Sequence, residues 1–85
     1  MTFVRLKRRL HRNGYNLPEV AELLNMSKTS VSRRYRAIEP WSLDEMYVLM
    51  DAINAPYTEL HTIFPKGGLD FGNMSDMRQG TRWLG

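Results

Sequence analysis

The sequence predicts an all-α fold, a compact bundle of about five short helices followed by an irregular C-terminal tail. Three observations predict it. Apolar residues recur at spacings of three and four from Phe3 to Phe64, which aligns them on single helical faces. Capping residues and breakers punctuate that pattern at Asn16, Ser27, Ser42, Pro40, Pro56 and Pro65. Glycines then dominate beyond Pro65. A chain of 85 residues has room for one modest core and is marginally stable by itself.

The first segment, Thr2 to Arg12, sets Phe3, Leu6 and Leu10 on one face. Thr2 is placed to cap its start, and Asn13-Gly14 to end it through a left-handed residue. Its opposite face holds Arg5, Arg8, Arg9 and Arg12, with Lys7 nearby.

The second segment starts at Asn16, which caps while Glu19 reaches back, and Pro18 is tolerated in a first turn. Leu17, Val20, Ala21 and Leu24 form its buried stripe. That helix of about two turns is too short to stand alone. At Leu24-Asn25-Met26-Ser27 the chain turns sharply, because Asn25 adopts a positive φ at low cost and Ser27 caps a new helix. The third segment, Lys28 to Arg36, has a narrow apolar stripe of Val31 and Tyr35. Its other faces are left for another purpose.

Ser42 and Glu45 form a second capping box, and Met46, Leu49, Met50 and Ile53 carry the fourth segment to Asn54-Ala55-Pro56. A fifth, roughly Thr58 to Phe64, contributes Leu60, Ile63 and Phe64 before Pro65 stops it. The expected organisation is a helical domain over 1–65 and a tail over 66–85. In the tail Gly67, Gly68, Gly72, Gly80 and Gly85 break regular structure, while Leu69, Phe71, Met74, Met77, Trp83 and Leu84 are too apolar for a purely solvated segment. It reads as a contact with a second copy or a partner.

The charge is unevenly spread. Through Ala37 nine Lys or Arg face only Glu19 and Glu22, a balance of +7; beyond it Lys66, Arg78 and Arg82 face seven acidic residues, a balance of −4. A basic half of this kind is either a surface made for a polyanion or a solvated charged face. Cysteine is absent, which removes disulfides, thiol nucleophiles and Cys-rich zinc sites together and fits a reducing compartment. Neither a signal peptide nor an apolar run of membrane-spanning length is evident, so a cytoplasmic protein without membrane contact is expected. His11 and His61 stand fifty residues apart with no metal-ligand spacing, and each reads as a surface or half-buried histidine. Lys66-Gly67-Gly68 lacks the full phosphate-loop pattern, and Asp44, Glu45 and Asp51 read as complements to a helix dipole. No catalytic residue, metal or cofactor is expected, and an enzyme is the least supported class.

The stretch LPEVAELLNMSKTSVSRR, Leu17 to Arg34, meets the needs of two helices crossing at a tight turn: Ala21 permits close approach, Asn25 turns, and Val20, Leu24, Met26 and Val31 plug the angle. Here the chain resembles the Cro/repressor, or lambda-repressor-like, helix-turn-helix family of phage and bacterial regulators. Ala21, Asn25 and Val31 stand at that family's spacings, and the resemblance runs from about Phe3 to Phe64, including PWSLDEMYVLMDAINAPYTEL. Asn25 replaces the usual Gly, and Leu17 replaces a Gln that often contacts phosphate.

The resemblance implies that the Lys28–Arg36 helix enters the major groove. Lys28, Thr29, Ser32 and Arg33 would meet base edges, with Lys28 or Arg33 on guanine. Asn16, Ser27, Arg34 and Arg36 would meet phosphates and set register, and Arg5 and Arg8 on the basic face of the first segment are, independently of the resemblance, candidate phosphate contacts. It further implies a homodimer on a short palindromic operator, half-sites about one helical turn apart, acting on transcription. The surface after Tyr57, with Phe71 and Trp83, is the expected dimer contact. The competing reading is an antirepressor-like module that holds another repressor protein, using the acidic half, the tail, and Met46, Met50, Met74 and Met77 as an adaptable surface.

Overall fold

Local sequence governs where most of the helices begin and end. The structure, a computed structural model, describes residues 2–70. In it α1 (Val4–Arg12), α2 (Leu17–Leu24), α3 (Lys28–Tyr35), α4 (Leu43–Ala52) and the single-turn α5 (Leu60–Ile63) follow one another, with 3₁₀ turns at Tyr57–Glu59 and Lys66–Gly68. Ser27 and Ser42 accept the Ser30 and Glu45 amides, each at 3.1 Å. Glu19 and Glu45 reach back to accept the Asn16 and Ser42 amides at 3.0 and 2.9 Å. These bonds satisfy donors that the first helical turn leaves without partners.

Helices α1 to α4 end in one way. The amides of Tyr15, Met26, Ile38 and Ala55 donate to the carbonyls of Leu10, Ala21, Arg33 and Met50, after a left-handed residue at Gly14, Asn25, Ala37 and Asn54 respectively. Glycine and asparagine take that conformation readily. Ala37, at φ 62°, does not, and a Cβ there costs about 1 kcal/mol.

Four expectations are corrected. Thr2 does not cap α1; its hydroxyl donates to the Tyr35 carbonyl, and the helix starts after Phe3, itself left-handed at φ 50°. The third helix stops at Tyr35, with Arg36 as its terminal cap. The expected Thr58–Phe64 helix is a 3₁₀ turn running into one α turn. Residues 66–70, expected to be irregular, fold back on the N-terminus. The Phe3 amide donates to the Gly68 carbonyl at 2.8 Å, Thr2 and Leu69 form an isolated antiparallel bridge, and the Arg5 amide lies 3.4 Å from the buried Asp70 carboxylate. That carboxylate supplies at the start of α1 the negative charge its own first turn lacks. Gly68, at φ 77°, must be glycine: a Cβ would stand 2.6 Å from the Phe3 ring.

Leu6, Leu10, Val20, Val31, Leu49, Met50 and Ile63 are fully enclosed at the centre. Beside them Trp41 packs edge-on against Phe3, Tyr35 and Phe64, with ring centroids 5.6–6.1 Å apart, the arrangement aromatic quadrupoles favour. Met50 is core and Met46 packs partly buried against it. Phe71, Met74, Met77, Trp83 and Leu84, named for a dimer or partner contact, lie outside the described residues. Among the described residues no strand is present, and no helix is long and apolar enough to cross a membrane.

Candidate nucleic-acid interface

The corner between α2 and α3 is built from a small residue, a left-handed turn and one deep plug. Ala21 is buried where the helices meet, Asn25 turns the chain at φ 56°, and Val31 has no exposed surface. Val31 is the single buried residue of α3. Lys28, Thr29 and Arg33 are consequently exposed, and Ser32 is half-buried. Lys28 and Ser32 are four apart, as are Thr29 and Arg33, so the four share one edge of α3.

That edge borders a groove of about 340 Å³ lined by Lys7, His11, Tyr15, Asn16, Ser32 and Tyr35, among others. Within it His11 Nδ1 lies 2.6 Å from Asn16 Oδ1, and Lys7 Nζ sits 5.7 Å from the centre of the Tyr35 ring, a cation–π contact. Burial pushes the Tyr35 phenol up to about 12, so its hydroxyl stays protonated near neutrality. The groove thus gathers an ammonium, an imidazole, an amide and two hydroxyl-bearing rings beside the exposed edge of α3, a donor set suited to phosphate oxygens.

Asn16 and Ser32, expected in different roles, meet in this one groove. Ser27 and Arg36 are exposed at the two ends of α3. Arg33 Nη1 lies 3.4 Å from Glu39 Oε2, with the side chains 52% and 40% exposed; such a pair is weak and yields to a better acceptor at little cost.

Arg34 is held by α4. Its Nε donates to Glu45 Oε1 at 2.9 Å, its Nη1 to Glu39 Oε1 at 3.3 Å and to the Ser30 carbonyl at 3.4 Å, and its side chain is 19% exposed. These bonds make it a bridge between α3 and α4.

Arg5 and Arg8 are placed elsewhere. They line a second groove with Arg9, Arg12, Glu59 and Thr62, between α1 and the turn leading into α5. Lys7 and His11 were not chosen as site residues from the sequence, although they stand four apart on the flank of α1 next to its apolar face. That spacing was the available signal. Among the described residues no three His, Asp or Glu gather as metal ligands. No family model matches the chain, and no curated protein and no solved structure matches it.

Proposed function

We propose that this chain is a sequence-specific regulator that binds double-stranded DNA through α3, with the Lys7–Asn16–Ser32 groove gripping the adjoining backbone. The observation that carries the reading is the polar edge of α3: one plug, Val31, seats the helix, and Lys28, Thr29 and Arg33 are left exposed beside a cationic groove. In the major groove Lys28 and Arg33 donate to guanine O6 and N7, and Thr29 and Ser32 bond base edges or place a methyl against thymine. Asn16, Ser27, Arg36, Lys7 and His11 set register on phosphates, joined by the amide-rich start of α3. Discrimination by a single domain over four or five base pairs is small, so the protein acts as a cytoplasmic homodimer on a two-fold operator in transcriptional control.

The test is selection from random duplexes at two salt concentrations. Enrichment of a palindrome, with affinity falling steeply as salt rises, is the expected result. Arg33→Ala then costs about 1–3 kcal/mol at one base position and relaxes preference there. Absence of enrichment and of binding at low salt moves the assignment to the antirepressor-like reading, in which the corner is a scaffold and another regulator is the partner.

A further inference from the structure

The nine residues of α1, VRLKRRLHR, carry five Lys or Arg and no acid. Arg5, Arg8, Arg9 and Arg12 sit three and four apart and line a groove of about 470 Å³ against Glu59 and Thr62. Like charges at those spacings oppose helix formation, and Arg5 stands near the end of α1 where the dipole favours anions. Glu59 is the one carboxylate in that lining; it pairs with Arg9 at 3.4 Å, with the side chains 33% and 45% exposed, so solvent screens much of its effect. The screened Arg9–Glu59 pair adds little to the fold, and Arg5 and Arg12 add like charge along the same flank. A row of phosphates would gain much, since planar guanidinium forks match phosphate oxygens two at a time.

Part of the row, Arg5 and Arg9, also faces away from the α3 edge. Arg5 and Lys7 are two residues apart, as are Lys7 and Arg9, and residues two apart on an α-helix point roughly 200° apart. Lys7 and His11 line the groove beside α3, Arg5 and Arg9 the groove beside α5, and the two grooves share no residue. A straight duplex laid on α3 and Lys7 therefore leaves the Arg5 and Arg9 flank turned away from it. Resting on the DNA-binding reading above, we infer that the α1–α5 groove is a second phosphate-binding surface that holds a different DNA segment, so that the protein joins two duplexes. From Arg5 to Arg12 the row spans roughly 10 Å along the helix, enough to follow consecutive phosphates of one strand.

The experiment tethers the selected operator duplex to beads and measures capture of a labelled second duplex of unrelated sequence. Wild-type protein captures it. Arg5→Gln/Arg12→Gln reduces capture at least tenfold while operator affinity stays within twofold and the thermal melt is unchanged, and Arg5→Lys/Arg12→Lys retains much of the capture. Retained capture in the glutamine variant overturns the inference. So does a parallel fall in operator affinity and its salt slope, which would make both grooves one surface on one duplex. Wild-type protein that binds operator without capturing a second duplex removes the second site alone, whereas wild-type protein that binds no duplex removes the DNA-binding reading itself.

Discussion

Helices α3 and α4 both begin at a serine whose hydroxyl accepts an amide three residues on, yet α3 buries only Val31 while α4 buries Leu49 and Met50 and runs into buried Ile53. The difference shows two ways of holding a short helix. Core contact anchors α4. Contacts at its ends and flanks anchor α3: the Ser27 cap, the Arg34 bridge to Glu39 and Glu45, Tyr35 against Trp41, and the terminal bonds around Ala37. That second arrangement leaves most of one face polar and exposed, which a helix that reads bases requires.

The contrast breaks most sharply at Leu49. Leu49→Ala should cost about 3 kcal/mol in urea unfolding, because a fully enclosed leucine leaves a cavity. Thr29→Ala should shift stability by no more than about 0.5 kcal/mol while weakening DNA binding. Equal losses from the two would end the distinction between a helix anchored by the core and one held at its ends and flanks.

Next in size is Arg34→Gln, expected to cost about 1–2 kcal/mol by leaving Glu45 partly buried with a weaker partner. The salt slope of DNA binding should not change in this variant. A slope lowered by about one unit would identify Arg34 as a phosphate contact as well as a bridge.

In the opposite direction, Ala37→Gly should stabilise by roughly 0.5–1 kcal/mol, since glycine accepts the left-handed position after α3 without a Cβ clash. Thermal melts of the two proteins decide this. A lower melting temperature for the glycine variant would mean that Ala37 contributes packing that outweighs its strain.

The smallest effect appears only at high pH. The folded state holds the Tyr35 phenol at about 12, above its ordinary 10, so it favours the protonated form. The corresponding stability is complete below pH 10 and is lost as pH rises through 12. Tyr35→Phe should leave the neutral melt nearly unchanged and flatten the alkaline decline. An unaltered decline would show that Tyr35 is not buried against Trp41 in solution.

Features resting on neighbours in the chain were legible. The Ser27 and Ser42 caps, the Glu19 and Glu45 back-bonds and the turns at Gly14, Asn25 and Asn54 join residues a few positions apart, so side-chain chemistry at a known spacing is enough to foresee them. The exposed edge of α3 was legible for a related reason, the scarcity of apolar residues between Lys28 and Arg36. The Arg34 bridge was not legible, because its shortest bond, to Glu45, reaches eleven positions on and into another helix. The split of the α1 cations was missed because a count of charges on a helix does not say which neighbouring helix each side will meet.

By itself, then, the sequence determined the all-α class, most helix ends and the tight corner at Asn25, because these follow from interactions within one or two turns. Tertiary structure decided what a linear reading cannot reach: that Asp70 places its carboxylate at the start of α1 while Thr2 bonds Tyr35 instead of capping, that Gly68 closes against Phe3, that Trp41 gathers Phe3, Tyr35 and Phe64, and that Lys7 and Arg5 line different grooves. Each of these joins groups far apart in the chain or turns on which side of a helix its neighbours occupy. Such contacts form only once burial of the shared core has offset the entropy of bringing them together.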